Sequence, residues 1–256
     1  METMVARVAG IDVHQATMVV TVRVPSPEGG RRVETQTFGT TSAELIGLRD
    51  WLAAQGVTQV ALESTGVYWR PLYYLLEDTF SLVLVNMKHL AHVPGRKSDV
   101  RDSEWLAQLL ECGLLRGSLV PPAPIRDLRD LTRYRKRQVD DRTQEVNRLH
   151  RILEDAGFKL ATVMSDIMGV SGRAMLAALL EGSTDVVAIA DLARGRLRRK
   201  LPELQRALQG RLRPHHAFLV TEILAKIEYL EEVLERLTAE IDRHLIPFET
   251  ALANLM

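Results

Sequence analysis

The hydrophobic period of this chain changes once, and a proline cluster marks the change. Val120-Pro121-Pro122-Ala123-Pro124 places three prolines in four positions, which neither a helix interior nor a paired strand accommodates. Before it, short runs rich in Val and Thr alternate with amphipathic stretches. After it, Leu and Ile recur every three or four residues almost to the end. This restricts the chain to an α/β domain followed by an all-α domain, with expected extents of 1–120 and 124–250. At 256 residues, each part is long enough for a core of its own.

In the first part, Val5–Ile11, Thr17–Val24 and Arg32–Phe38 read as strands, with Pro25–Gly30 turning between the last two. Ala43–Ala54 then sets Leu45, Leu48, Trp51 and Leu52 on one helical face behind a Thr-Thr-Ser start suited to capping. A strand Gln59–Leu62, a helix around Trp69–Glu77, a strand Leu82–Val85 and a helix from Asp99 to Glu111 complete a mixed sheet with flanking helices. In the second part Ile125–Ala156 is one long amphipathic helix, ended by Gly157. Ser171–Leu180 and Asp185–Leu192 are shorter helices, and His216–Leu245 is a second long one. Its Leu219, Ile223, Ile227, Leu230, Leu234, Leu237, Ile241 and Leu245 trace a coiled-coil seam. That seam serves either self-association or packing back on Leu128–Leu153 within one chain.

Four carboxylates stand where carboxylates are costly or unusually concentrated. Asp12 and Glu63 each close an apolar strand, and Asp99 and Asp102 are spaced i, i+3 at a helix start. An acid at the end of a buried strand needs a neutraliser. For clustered anions a hard divalent ion such as Mg²⁺ serves best, bound by carboxylate and water oxygen. If the two strands are parallel neighbours, Asp12 and Glu63 leave the sheet at one edge, where open α/β sheets place their sites. Metal ions held there activate an attacking group and stabilise a leaving oxygen in phosphoryl transfer. Each acid also has a plainer reading. Asp99 and Asp102 behind Ser98 suit a helix cap, Asp12 suits a strand-end turn, and Glu63 suits an ion pair with a nearby Arg.

The formal net charge is zero, yet charge is segregated. Arg126–Arg151 holds nine basic residues against five acidic, Arg194–Arg213 eight against one, and Glu222–Asp242 is acidic. Such patches, rather than the total, govern binding of a polyanion. Arg133, Arg135, Lys136 and Arg137 form one candidate nucleic-acid contact, alternatively a solvated face offset by Asp140, Asp141 and Glu145. Arg196, Arg198, Arg199 and Lys200 form a second, with only Glu203 to offset them. Lys97 and Arg101 flank the second acid pair and suit a scissile phosphate. Tyr68 and Trp69 suit stacking on a nucleotide, or more ordinarily packing of a helix on the sheet. One cysteine, Cys112, excludes an internal disulfide. No stretch is long and apolar enough for a membrane span, and the start lacks a signal-peptide pattern. A cytoplasmic protein follows, nucleoid-associated when acting. His215 and His216 are adjacent rather than i, i+4, and no zinc pattern occurs. No Walker A or second Gly-rich phosphate loop supports an actin-like ATPase.

Gly10-Ile11-Asp12-Val13-His14, Leu62-Glu63-Ser64-Thr65-Gly66-Val67-Tyr68-Trp69 and Lys97-Ser98-Asp99-Val100-Arg101-Asp102 resemble the DEDD motif of the IS110-type transposases. The similarity continues through Gly169–Leu176 and Leu192–Gly195, so it spans nearly the whole chain. The resemblance implies an RNase H-like, RuvC-like domain in which Asp12, Glu63, Asp99 and Asp102 are the catalytic acids and hold Mg²⁺. It further implies a DNA recombinase that works as a homo-oligomer and is guided by a structured RNA. Family members also carry a C-terminal domain with a serine nucleophile. This chain ends about where that domain is expected, and no serine here fills the role. Ser171 reads instead as a helix N-cap. The expectation is a chain that binds metal and nucleic acid but does not complete strand exchange alone. The alternative is a non-catalytic nucleic-acid-binding and oligomerisation fragment of such a transposase.

Overall fold

The computed structural model describes residues 3–63, 66–86 and 102–249. The chain divides into two compact units, Met1–Val120 and Pro121–Met256.

The first unit is built on a five-stranded sheet of order β3-β2-β1-β4-β5. β1 (Val8–Val13), β2 (Thr17–Pro25) and β3 (Arg31–Gly39) form an antiparallel meander, while β4 (Gln59–Glu63) and β5 (Ser81–Val85) add in parallel to β1. This order and sense are those of an RNase H-like sheet. β1 reads as an unbroken apolar run because both of its faces are covered. Ala9, Ile11 and Val13 pack with Val60 and Leu62 beneath α1 (Ser42–Ala54) and α2 (Trp69–Leu76). On the opposite face Val8, Ala61 and Val85 pack under Trp105, Leu106 and Leu109 of α3 (Asp102–Glu111).

β1 is longer at its end than its composition suggests. Asp12 pairs with Val19 and Val13 with Met18, so Asp12 lies inside the strand. Pairing with the hairpin partner β2 carries the ladder two residues past Ile11, where the expected strand ends. The Thr-Thr-Ser start of α1 also acts differently from expectation: the Thr41 hydroxyl meets the Glu44 carboxylate at 2.9 Å rather than a backbone N–H.

Among its described residues the second unit forms helices and no strand. α4 (Ala123–Asp155) and α8 (Pro214–Leu245) lie antiparallel, and cross-links descend one helix as they climb the other. Arg135 meets Thr238 at 3.0 Å, Arg142 meets Glu231 at 2.7 Å, Lys226 meets Glu145 at 2.5 Å, and His216 meets Asp155 at 2.9 Å. Between them the chain forms α5 (Val170–Leu180), α6 (Val186–Asp191), a 3₁₀ turn Gly195–Lys200 and α7 (Leu201–Ala207). The core gathers Leu149, Leu153, Leu160, Met175, Leu176, Leu204, Val220 and Ile227. While Leu219 stays exposed, the expected seam from Ile223 onward therefore packs within the chain along α4. Its distal half, from Leu234 to Leu245, is only half-buried, because two helices cannot enclose a seam by themselves.

Candidate functional site

The acids reach the sheet's edge through three local features. β1 and β4 are parallel, with Ile11 beside Leu62, so the next residues, Asp12 and Glu63, are neighbours at the same end of the sheet. Neighbouring parallel strands lie about 5 Å apart. Side chains alternate along a strand. Ile11 and Leu62 face α1 and α2, which turns Asp12 and Glu63 to the α3 face. Both are partly buried, and the Asp12 side chain keeps 14% of its surface exposed.

α3 then brings Asp102. A Cβ on Gly10 would lie 2.2 Å from the Ser103 carbonyl oxygen and 2.4 Å from the Ala107 nitrogen, so α3 rests directly on the β1 backbone. The Ser103 hydroxyl lies 2.9 Å from that of Thr21, the residue paired with Gly10; both are fully buried. At the other end of α3, the Glu111 carbonyl accepts the N–H groups of Met4 and Val5, ahead of β1. α3 thus runs against β1, and its first residue, Asp102, stands at the end of the sheet that carries Asp12 and Glu63. A close-packed glycine is what permits this.

The far end of α3 is fixed by charge. The Glu111 carboxylate is buried against Arg23 at 2.5 Å and Arg31 at 2.7 Å, and accepts the Thr3 hydroxyl at 3.2 Å. Burial pushes its carboxyl up, but the hydrogen bonds and charges of the two guanidinium groups outweigh it and hold Glu111 below its ordinary value.

Asp12, Glu63 and Asp102 are therefore brought to one end and one face. Asp99, Lys97 and Arg101 lie outside the described residues. An all-oxygen donor set fits a hard divalent ion. In the structure Asp12 Oδ2 meets His14 Nε2 at 3.1 Å, so the histidine two residues on in sequence approaches the acid. Among the described residues, the one trio of Asp, Glu, His or Cys side chains whose donor atoms lie within 4.8 Å of one another is Asp155, His215 and His216, in the helical unit. Trp69 packs against the α1/α2 core and meets Tyr73 edge-on at 5.6 Å, while Tyr68 is exposed.

The basic segments separate into engaged and outward-facing side chains. On α4, Arg135 donates to Thr238 and Lys136 meets Asp140 at 2.7 Å, whereas Arg133 and Arg137 are exposed without an ion pair among the described residues. In the 3₁₀ turn, Arg198 binds Asp191 at 2.9 Å as well as backbone carbonyls, and Lys200 donates to the Val163 carbonyl. Arg196 and Arg199 are exposed and unengaged among the described residues. Arg196 and Lys200 line a cavity of about 540 Å³ together with Arg194 and Ser171. Ser171 is not the cap of α5. It lies inside the helix after Gly169, and its hydroxyl accepts the Arg194 N–H at 2.9 Å.

A family model described as a transposase, that of the DEDD transposases of the IS110 type, matches residues 9–158. No curated protein matches the chain. Solved structures with some likeness include Thermus thermophilus RuvC, both free and in complex with a Holliday junction substrate. Each is 13% identical, with 44% of this chain and 99% of the other covered and a TM-score of 0.32.

Proposed function

The chain belongs to the IS110-type family of DEDD DNA transposases, and from that premise we propose that its sheet unit is the Mg²⁺-dependent phosphodiester-cleaving centre of the enzyme. The supporting observation is the convergence of Asp12, Glu63 and Asp102 at one end of the sheet on the α3 face. Asp99, three residues ahead of Asp102 in sequence, is proposed as the fourth acid. These side chains would hold the metal, which when bound supplies a polarised phosphate and an activated attacking oxygen. His14, whose Nε2 lies 3.1 Å from Asp12 Oδ2, would have to yield that contact for Asp12 to hold a metal. Thr21 and Ser103 fix the height of α3 above β1, and so the reach of Asp102.

Arg133, Arg137, Arg196 and Arg199, exposed and unengaged among the described residues, support a backbone-gripping role in the helical unit. Its partner is proposed to be a structured guide RNA, recognised through shape and phosphates. A homo-oligomer is proposed in keeping with the family.

The test is metal-dependent cutting of branched and duplex DNA by the chain, with and without Mg²⁺, compared with Asp12→Ala and Asp102→Ala. Both variants are expected to lose cutting while retaining nucleic-acid binding. Cutting that persists in Asp12→Ala refutes the centre. Binding with no metal-dependent cutting in the parent chain favours a non-catalytic nucleic-acid-binding role.

A further inference from the structure

Asp155 ends α4, and His215 and His216 lie in the first turn of α8. Their ligand atoms all fall within 4.8 Å of one another. His216 Nε2 is 2.9 Å from Asp155 Oδ2, and the two imidazole rings lie tilted at 54° to each other with centroids 4.0 Å apart. The His216 side chain is 2% exposed, while Asp155 and His215 open to solvent. One donor is thus held by the core and two face an approaching ion.

From this geometry we propose that Asp155, His215 and His216 form a binding site for a first-row divalent ion of the zinc type, separate from the sheet acids. Two imidazoles and a carboxylate suit zinc or cobalt better than magnesium, which prefers oxygen alone. Ligands about 2.1 Å from a tetrahedral ion stand about 3.4 Å apart. Asp155 and His216 therefore need only a small opening of their 2.9 Å contact. A fourth position stays open to water.

Arg213 marks where a cation is favoured. Its Nη2 lies 3.8 Å from Asp155 Oδ2 and 3.3 Å from His216 Nε2, so a guanidinium already leans on both donors. The side chain is 58% exposed and free to swing outward when an ion takes its place. Coordination through Nε2 moves the ring proton to Nδ1. That gives up the Nε2 contacts with Asp155 and Arg213, the first replaced by shared coordination of the ion, and the 3.5 Å contact from the Arg213 backbone N–H, at the outer limit of a hydrogen bond. The bound ion would clamp the end of one long helix to the start of the other, at the root of the hairpin.

The experiment is titration of the untagged, chelator-treated chain with Co²⁺ and Zn²⁺, in excess Mg²⁺ to occupy hard-ion sites. Visible cobalt absorption, calorimetry and Tm are the readouts. One Co²⁺ per chain with nitrogen-ligand absorption is expected, displaced by Zn²⁺, together with a Tm that rises with Zn²⁺. This signal should persist in Asp12→Ala. His215→Ala, exposed and therefore benign to folding, should weaken binding tenfold or more, and Asp155→Asn likewise. Arg213→Ala should bind as tightly or up to tenfold tighter. A parent chain that gives no such absorption, or His215→Ala titrating like the parent, overturns the site. So does Asp155→Asn lowering Tm while leaving cobalt binding intact, for then the pair is only a hydrogen bond.

Discussion

Replacing Gly10 by Ala tests the contact on which the position of Asp102 depends. The added Cβ meets backbone atoms of α3, the Ser103 oxygen at 2.2 Å and the Ala107 nitrogen at 2.4 Å, and neither can rotate away. Ordinary contact begins at 3.4 Å, so the helix must retreat by about 1.2 Å (3.4 less 2.2). That retreat strains a packed layer at about 1–3 kcal/mol. It also parts the buried hydroxyls of Thr21 and Ser103, at about 1–3 kcal/mol more. A loss of about 4 kcal/mol follows, which lowers Tm of a unit this size by roughly 10 °C or more. The assay is favoured by the sequence. All three tryptophans, Trp51, Trp69 and Trp105, lie in the sheet unit, so urea unfolding followed by tryptophan emission reports that unit alone. Gly47, inside α1 with nothing within 4 Å of its Cβ position, is the control. Gly47→Ala should be neutral or stabilise by about 0.5–1 kcal/mol. If Gly10→Ala unfolds within about 0.5 kcal/mol of the parent, the ordinary scatter of neutral substitutions, α3 does not rest on Gly10 and the placement of Asp102 fails with it.

Other outcomes follow from the ion pairs. Glu111 is held below its ordinary value in the folded state, so its stabilisation is complete above the unfolded carboxylate pKa and is lost as pH falls through the folded one. Glu111→Gln should therefore cost about 3 kcal/mol near pH 7, with the gap to the parent closing in urea melts run at progressively lower pH; a pH-independent gap rejects the charge argument. Arg196→Ala with Arg199→Ala should lower the log-affinity versus log-salt slope for RNA by about 2, near one per lost phosphate contact. Arg198→Ala should leave that slope unchanged and instead lower Tm, since its guanidinium is bound to Asp191 and backbone carbonyls; equal slopes for all variants remove this segment from the interface.

Much of the sheet was legible because strand composition and flanking turns are local signals. Asp12 and Glu63 stand out as candidates in the sequence because a carboxylate next to an apolar run is conspicuous. Which face each acid takes was not, since that needs the parallel pairing of β1 with β4 across an intervening hairpin and helix. Nor was the direction of α3. Gly10 signals only that something approaches closely; it does not say which end of which helix. The basic blocks show the same limit. Arg196, Arg198 and Arg199 look alike in sequence, yet Arg198 turns to Asp191 because the 3₁₀ turn folds back on the end of α6.

The histidine pair shows why spacing rules fail in one direction only. An i, i+4 pair announces a site because one helix supplies both donors in register. Adjacent positions are set about 100° apart round a helix, so the sequence gives no reason to look further. The antiparallel register of α4 and α8 brings Asp155, sixty-one residues from His216, to within 2.9 Å. The same register sets Glu145 against Lys226 and Glu231 against Arg142, so the Asp155–His216 contact is the terminal rung of a ladder. A ladder of charges is ordinary hairpin chemistry. What separates its last rung is the second imidazole, exposed and directed at the same carboxylate, which the packing of the two helices does not require.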